Sequence, residues 1–109
     1  MSNETKSDKK MGANGCPSNY GNAIAVSMIR LSEQAPVDVV GMGGKNSVTC
    51  VPLEKVFNAD GKRLGSSLWV ANYIPSIQHF RVAHYANEAR EPIVRMIHAS
   101  FVKTWEPIE

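Results

Sequence analysis

Apolar residues recur along this chain at two periods, and the changes of period divide it into elements. Between Pro17 and Pro36, Tyr20, Ile24, Met28 and Leu31 follow at intervals of four, four and three, the spacing that lines up side chains on one face of a helix. Ala23 and Ala25 allow close packing beside that face, Ser18 or Asn19 can cap the free amides at its start, and Pro36 ends it. Val37 to Met42 is apolar and β-branched at nearly every position, which predicts a short strand covered on both sides. After Gly41, Gly43 and Gly44, the residues Val48, Thr49 and Val51 favour a strand that folds back on 37–42 as a hairpin. From Leu53 the spacing of Leu53, Val56, Phe57 and Leu64 is helical again, and Pro52 suits the first turn, where its missing amide hydrogen costs little. This helix ends near the turn at Asn58–Gly61. The pattern leaves open whether residues 46–51 are strand or already helix.

The C-terminal half reads as two long strands. Ser67 to Val82 is the first, broken or bulged at Pro75, since proline cannot donate to a ladder. Pro92 to Trp105 is the second, with Val94, Met96, His98, Ser100 and Val102 on one face and Ile93, Arg95, Ile97, Ala99 and Phe101 on the other. Ala83 to Glu91, small and polar, suits an exposed hairpin tip. Both faces of the second strand mix apolar and polar residues, which predicts cover from helices on one side and from a partner subunit on the other. Residues 1–10 are polar and carry almost nothing to bury, so they read as a flexible tail ahead of a single domain over 11–109, with a short extended piece at Lys10–Ala13.

Composition narrows the function classes. A chain of 109 residues, 43% of them hydrophobic, is the size of one ordinary domain. Twelve Lys and Arg against ten Asp and Glu give a net charge of only +2, so an anionic partner has to be met by a local cluster rather than by the field of the whole molecule. Cys16 and Cys50 fall in no zinc-binding spacing and read as free thiols of a reducing cytoplasm. The N-terminus has no apolar core of a signal peptide, and no uncharged apolar stretch approaches membrane-spanning length. The expectation is a soluble, cytoplasmic protein without membrane contact.

The order of these elements resembles the Alba-like fold, and within it the stage V sporulation protein S family. The opening "GANGCPSNYGNAIAVSMIRL" is similar to that family's small-residue and proline loop leading into a first helix. "VDVVGMGGKNSV" is similar to its strand ending in a glycine-rich turn, and "LWVANYIPSIQHFRV" with "EPIVRMIHASFV" to its closing hairpin. The resemblance covers Met11 to about Lys103 and departs from the pattern at Pro52 and in the long segment "NADGKRLGSS". It implies an α+β fold, a two-layer sandwich of order β-α-β-α-β-β with a mixed sheet and two helices on one face. It further implies a homodimer or higher homo-oligomer that binds nucleic acid, DNA or RNA, along the phosphate backbone with little sequence specificity.

Carried over by position, that reading selects Lys45 with Asn46 in the glycine loop, where free amides and a lysine suit an anion; a plain turn with a solvated lysine explains the same residues. Asn19 lies at the start of the first helix. Lys9 and Lys10 are placed to reach along a phosphate backbone, though Glu4 and Asp8 dilute their charge. Arg81, Arg90 and Arg95 belong to the closing hairpin, where Glu88 and Glu91 offer ordinary surface pairing instead. Tyr85 at the tip is the best candidate to stack on a base, while Tyr20 belongs to the core. Lys62 and Arg63 are explained by the end of the second helix. His79, His84 and His98 lack a carboxylate or cysteine at a supporting spacing, and no serine sits in a nucleophile elbow. No catalytic residue, metal site or cofactor is assigned, and the chain reads as a non-enzyme. The alternatives are a regulatory or structural oligomerisation protein of the same fold without nucleic-acid binding, and a small enzyme holding a phosphorylated metabolite at residues 41–46.

Overall fold

The structure, a computed structural model, describes residues 12–35, 46–86 and 90–108. The expected tail over 1–10 and the strand over 37–42 lie outside them. Among the described residues there are six strands: β1 (Ile24–Leu31), β2 (Ser47–Thr49), β3 (Leu68–Ile74), β4 (His79–Tyr85), β5 (Ile93–His98) and β6 (Val102–Pro107). The described residues contain no α-helix, only single turns of 3-10 helix at Ala13–Gly15, Ser18–Tyr20, Leu53–Lys55 and Ala99–Phe101. The expected α+β, Alba-like sandwich with two helices on one face is therefore overturned in favour of one antiparallel six-stranded sheet.

The first expected helix is β1, and bulges explain how its pattern misleads. Against β6, Val26 pairs with Pro107 and Met28 with Glu106, so Ser27 is an extra residue on β1. That extra residue shifts the alternation of faces, and the buried positions become Val26, Ile29 and Leu31. Of Tyr20, Ile24, Met28 and Leu31, the residues of the expected helical face, only Leu31 is buried, while Ile24, Val26 and Ile29 carry the branching that prefers strands. The second expected helix shrinks to the turn at Leu53–Lys55, and residues 47–49 are strand, pairing with β1. The long strand expected over 67–82 is a hairpin, with Pro75–Gln78 as the turn between β3 and β4.

Registers show that the sheet curls. Val26 pairs with both Ala71 of β3 and Pro107 of β6, and Ile29 with both Val48 of β2 and Trp105 of β6. The strand β6 therefore lies along one edge of β1, and β3 and β2 follow each other along the other. Continuing through β4, the order runs β6-β1-β3-β4-β5. In a flat sheet the outermost two would stand about 19 Å apart, four spacings of about 4.8 Å. Only Ala99–Phe101 joins them, and a 3-10 turn of that length spans about 8 Å. The sheet must bend until its ends approach, and backbone bonds fix the turn: Ala99 N donates to Gln78 O, and Ser32 N to Phe101 O, both at 2.8 Å.

The concave side holds the main core, in which Val26, Ile29, Ala71, Phe80, Val82 and Ile97 are buried. Trp105 of β6 reaches Tyr73 and Phe80 across it, with ring centroids 5.3 and 5.4 Å away. On the convex side, Val56, Leu53 and Phe57 cover Val70 and Ala83. Val70, Ala71 and Asn72 are consequently all buried, because β3 is covered on both faces. Asn14 fastens the covering segment. In a left-handed conformation (φ 55°), it donates from Nδ2 to Ala71 O at 2.9 Å and accepts from Leu53 N at 2.8 Å. Next to it Gly15, with φ 78°, leaves no room for a side chain: a Cβ there would stand 2.7 Å from Leu53 Cδ2.

Candidate anion-binding groove

The residues expected to form one basic surface are only partly described, and those that are do not share a face. Lys9, Lys10 and Lys45 lie outside the described residues. Asn19 is exposed in the turn Ser18–Tyr20. Cross-strand partners share a face, so the pairs Val82–Arg95 and Phe80–Ile97 put Arg95 on the concave side. Arg81, opposite Asn72 and Met96, belongs to the convex side. Arg81 and Arg95 therefore lie on opposite faces of the sheet, and the helices of the Alba-like frame on which that surface was drawn are absent from the described residues.

Tyr85 and Arg90 have structural partners. Tyr85 meets Phe57 edge to face at 5.8 Å, and burial raises its phenol pKa, partly offset by Arg81. The Arg90 guanidinium lies 5.4 Å over the same Phe57 ring and donates to Gly61 O. Arg63, which was ascribed to a helix end, instead donates from Nη2 to Tyr85 O at 2.8 Å and from Nε to Gly65 O. These side chains tie the covering segment to the end of β4.

The histidines divide likewise. His79 and His98 face each other with ring centroids 5.0 Å apart, and His79 Nδ1 donates to Ile77 O. His84 lies on the concave side with Trp69. Among the described residues no group of three or more His, Cys, Asp or Glu is placed to hold a metal ion, and no helix is long and apolar enough to cross a membrane. Cys16 and Cys50 are free and buried; burial raises both thiol pKa values, that of Cys50 to about 12.

One depression gathers cations, at the end of β1. Arg30, Ser32, Glu33, Gln34, Asn46 and Lys103 line an open space of about 420 Å³. Its geometry follows from a second bulge. Arg30 pairs with Thr104 but Leu31 with Val102, so Lys103 is the extra residue on β6, and bulges re-aim the side chain they carry. On the other edge Leu31 N donates to Asn46 O at 2.6 Å and Arg30 pairs with Ser47. The end of β1 is thus gripped from both sides, which sets Asn46 across from Lys103 with Arg30 between. Both cations are exposed, and Glu33 is the one carboxylate of the lining among the described residues. Ser32 Oγ is withdrawn from water and has no hydrogen-bond partner among the described residues.

Of the expected candidates among the described residues, only Asn46 belongs to this groove; Arg30 and Lys103 were overlooked. Arg30 lies within the segment expected to be the first helix and Lys103 near the end of the second long strand, and neither was singled out. Only the pairing of β1 with β6 brings them together, and no local pattern encodes it. No family model, curated protein or solved structure matches the chain.

Proposed function

We propose that this protein is a non-enzymatic binding module that takes a phosphate-bearing anion at the groove between the end of β1 and the bulge of β6. One observation carries the reading: the bulge turns Lys103 into the same polar depression as Arg30 and Asn46. Among the described residues two cations against one carboxylate favour negative charge there, and the amides of Gln34 and Asn46 add neutral donors suited to phosphate oxygens. Exposed charges are screened within about 8–10 Å at physiological salt, so binding is modest and weakens as salt rises.

Calorimetry at low ionic strength tests this with three probes: inorganic pyrophosphate, a nucleoside diphosphate and a short oligothymidylate. Pyrophosphate binds in the expected result, and Arg30→Gln or Lys103→Gln each weakens it about tenfold, which corresponds to about 1.4 kcal/mol. The other probes tell a free phosphoester from a strand backbone. Absence of pyrophosphate binding, or equal binding by both variants, overturns the reading.

A second reading, assembly of copies, is favoured by one further observation. Among the described residues β5 pairs only with β4, and Ile93 and Val94 on it are 53% and 40% exposed. An outer strand with apolar residues turned to solvent invites pairing with another chain. Light scattering then gives a mass above 12.0 kDa that falls to the monomer value on Ile93→Lys. A monomer in the unaltered chain contradicts assembly.

A further inference from the structure

The concave face near the start of β3 holds a second cluster, separate from the groove. Trp69 and His84 are cross-strand partners, and their rings stack with centroids 3.8 Å apart and planes within 7°. Ser67 Oγ and His84 Nε2 share a hydrogen bond of 2.8 Å. Ile93 pairs with His84 on the other side, and Arg95 follows two residues on, on the same face. Ser67 and Ile93 are exposed while Trp69, His84 and Arg95 are half-buried, so the cluster opens to solvent at one end. Arg95, close enough to His84 to act on its charge, has its Nη1 withdrawn from water with no hydrogen bond among the described residues.

A serine hydroxyl on an imidazole nitrogen suggests a nucleophile and its base. The charges oppose that role. Proton abstraction from Ser67 would create an imidazolium, and burial together with Arg95 and Arg63 holds the His84 pKa below its ordinary value. The surroundings resist added positive charge and accept negative charge. A buried guanidinium nitrogen without an acceptor is destabilising, and a ligand oxygen supplies what is missing.

We infer that the Trp69, His84 and Arg95 cluster is a binding site for a small carboxylate whose apolar body lies against Ile93 and the Trp69–His84 stack while its oxygens accept from Arg95. A planar carboxylate matches the guanidinium fork. The apolar walls and the neutral imidazole suit a monoanion with a hydrophobic body better than a strongly hydrated phosphate. This inference is independent of the groove.

The full chain is titrated with benzoate and, separately, with the uncharged isostere benzamide, and nuclear magnetic resonance follows the His84 imidazole and the Trp69 indole. Benzoate produces saturable shifts in both at millimolar concentration, and benzamide does not. By linkage the bound anion also raises the His84 pKa, where the groups facing the ring are Ser67, Trp69, Arg63 and Arg95. Arg95→Gln abolishes the shifts while amide signals elsewhere keep their positions. Should that variant fold poorly, Arg95→Lys, which keeps the charge but loses the fork, binds benzoate more weakly. Lys103→Gln leaves benzoate binding intact. Equal response to benzamide, no saturable shift, or undiminished binding by the Arg95 variants overturns the inference, as does loss of benzoate binding on Lys103→Gln.

Discussion

Replacing Asn14 tests how the convex layer is held to the sheet. Its side chain donates to Ala71 O on β3 and accepts from Leu53 N at the start of the covering turn, while its own carbonyl accepts from Asn72 Nδ2 at 3.2 Å. Glycine at this position keeps the left-handed backbone, with φ near 55°, without steric cost, so Asn14→Gly isolates the two side-chain bonds. Each contributes about 1 kcal/mol net, and each partner left without a bond in a part-buried site adds to the loss. The expected destabilisation is about 2–4 kcal/mol. Asn14→Ala loses the same bonds and meets a left-handed penalty of about 1–2 kcal/mol besides. Urea unfolding followed by tryptophan fluorescence measures both, read as a lower midpoint at constant slope. A loss under about 0.5 kcal/mol for Asn14→Gly, far below what two part-buried bonds supply, refutes the reasoning, as does an alanine variant no less stable than the glycine one.

Phe80, buried against Tyr73 and Trp105, costs about 3–5 kcal/mol on Phe80→Ala, and the same unfolding assay measures it. The Cys50 thiol, with its pKa near 12, stays unmodified by iodoacetamide at mildly alkaline pH in the folded chain and reacts in urea, as mass spectrometry shows; rapid native alkylation contradicts its burial. His84 titrates below its ordinary 6.5 when folded, so the unfolded chain takes up its proton first and stability falls as pH drops from about 6.5 toward the depressed value. His84→Gln removes that part of the slope in unfolding measured across this range, and an unchanged slope contradicts the assignment.

Local alternation was readable where strands are regular. In β5 the two faces expected for Ile93, Arg95 and Ile97 against Val94, Met96 and His98 agree with the pairing to β4, and Val48 and Thr49 lie in a strand as their branching suggests. Reading failed where the ladder is irregular. Ser27 and Lys103, the two bulge residues, change the phase of burial on β1 and β6, and a phase change resembles a change of period. Pro75 marked an interruption, but nothing local distinguished a bulge in one strand from the Pro75–Gln78 turn between two. The Ala99–Phe101 turn was hidden inside an alternating run, and it is this turn that carries the chain from β5 to β6. The groove was illegible for the same reason. Arg30 and Lys103 are distant in the chain and meet through long-range pairing, whereas the glycine-rich loop drew attention to Lys45, which lies outside the described residues, and to its neighbour Asn46, which lines the groove.

The most direct measurement follows the backbone and side-chain signals of the whole protein residue by residue while pyrophosphate is added. The account predicts saturable shifts concentrated at Arg30, Ser32, Asn46 and Lys103, diminishing with added salt. Shifts centred on Arg81 and Arg90, or spread evenly over the exposed cations, would contradict it.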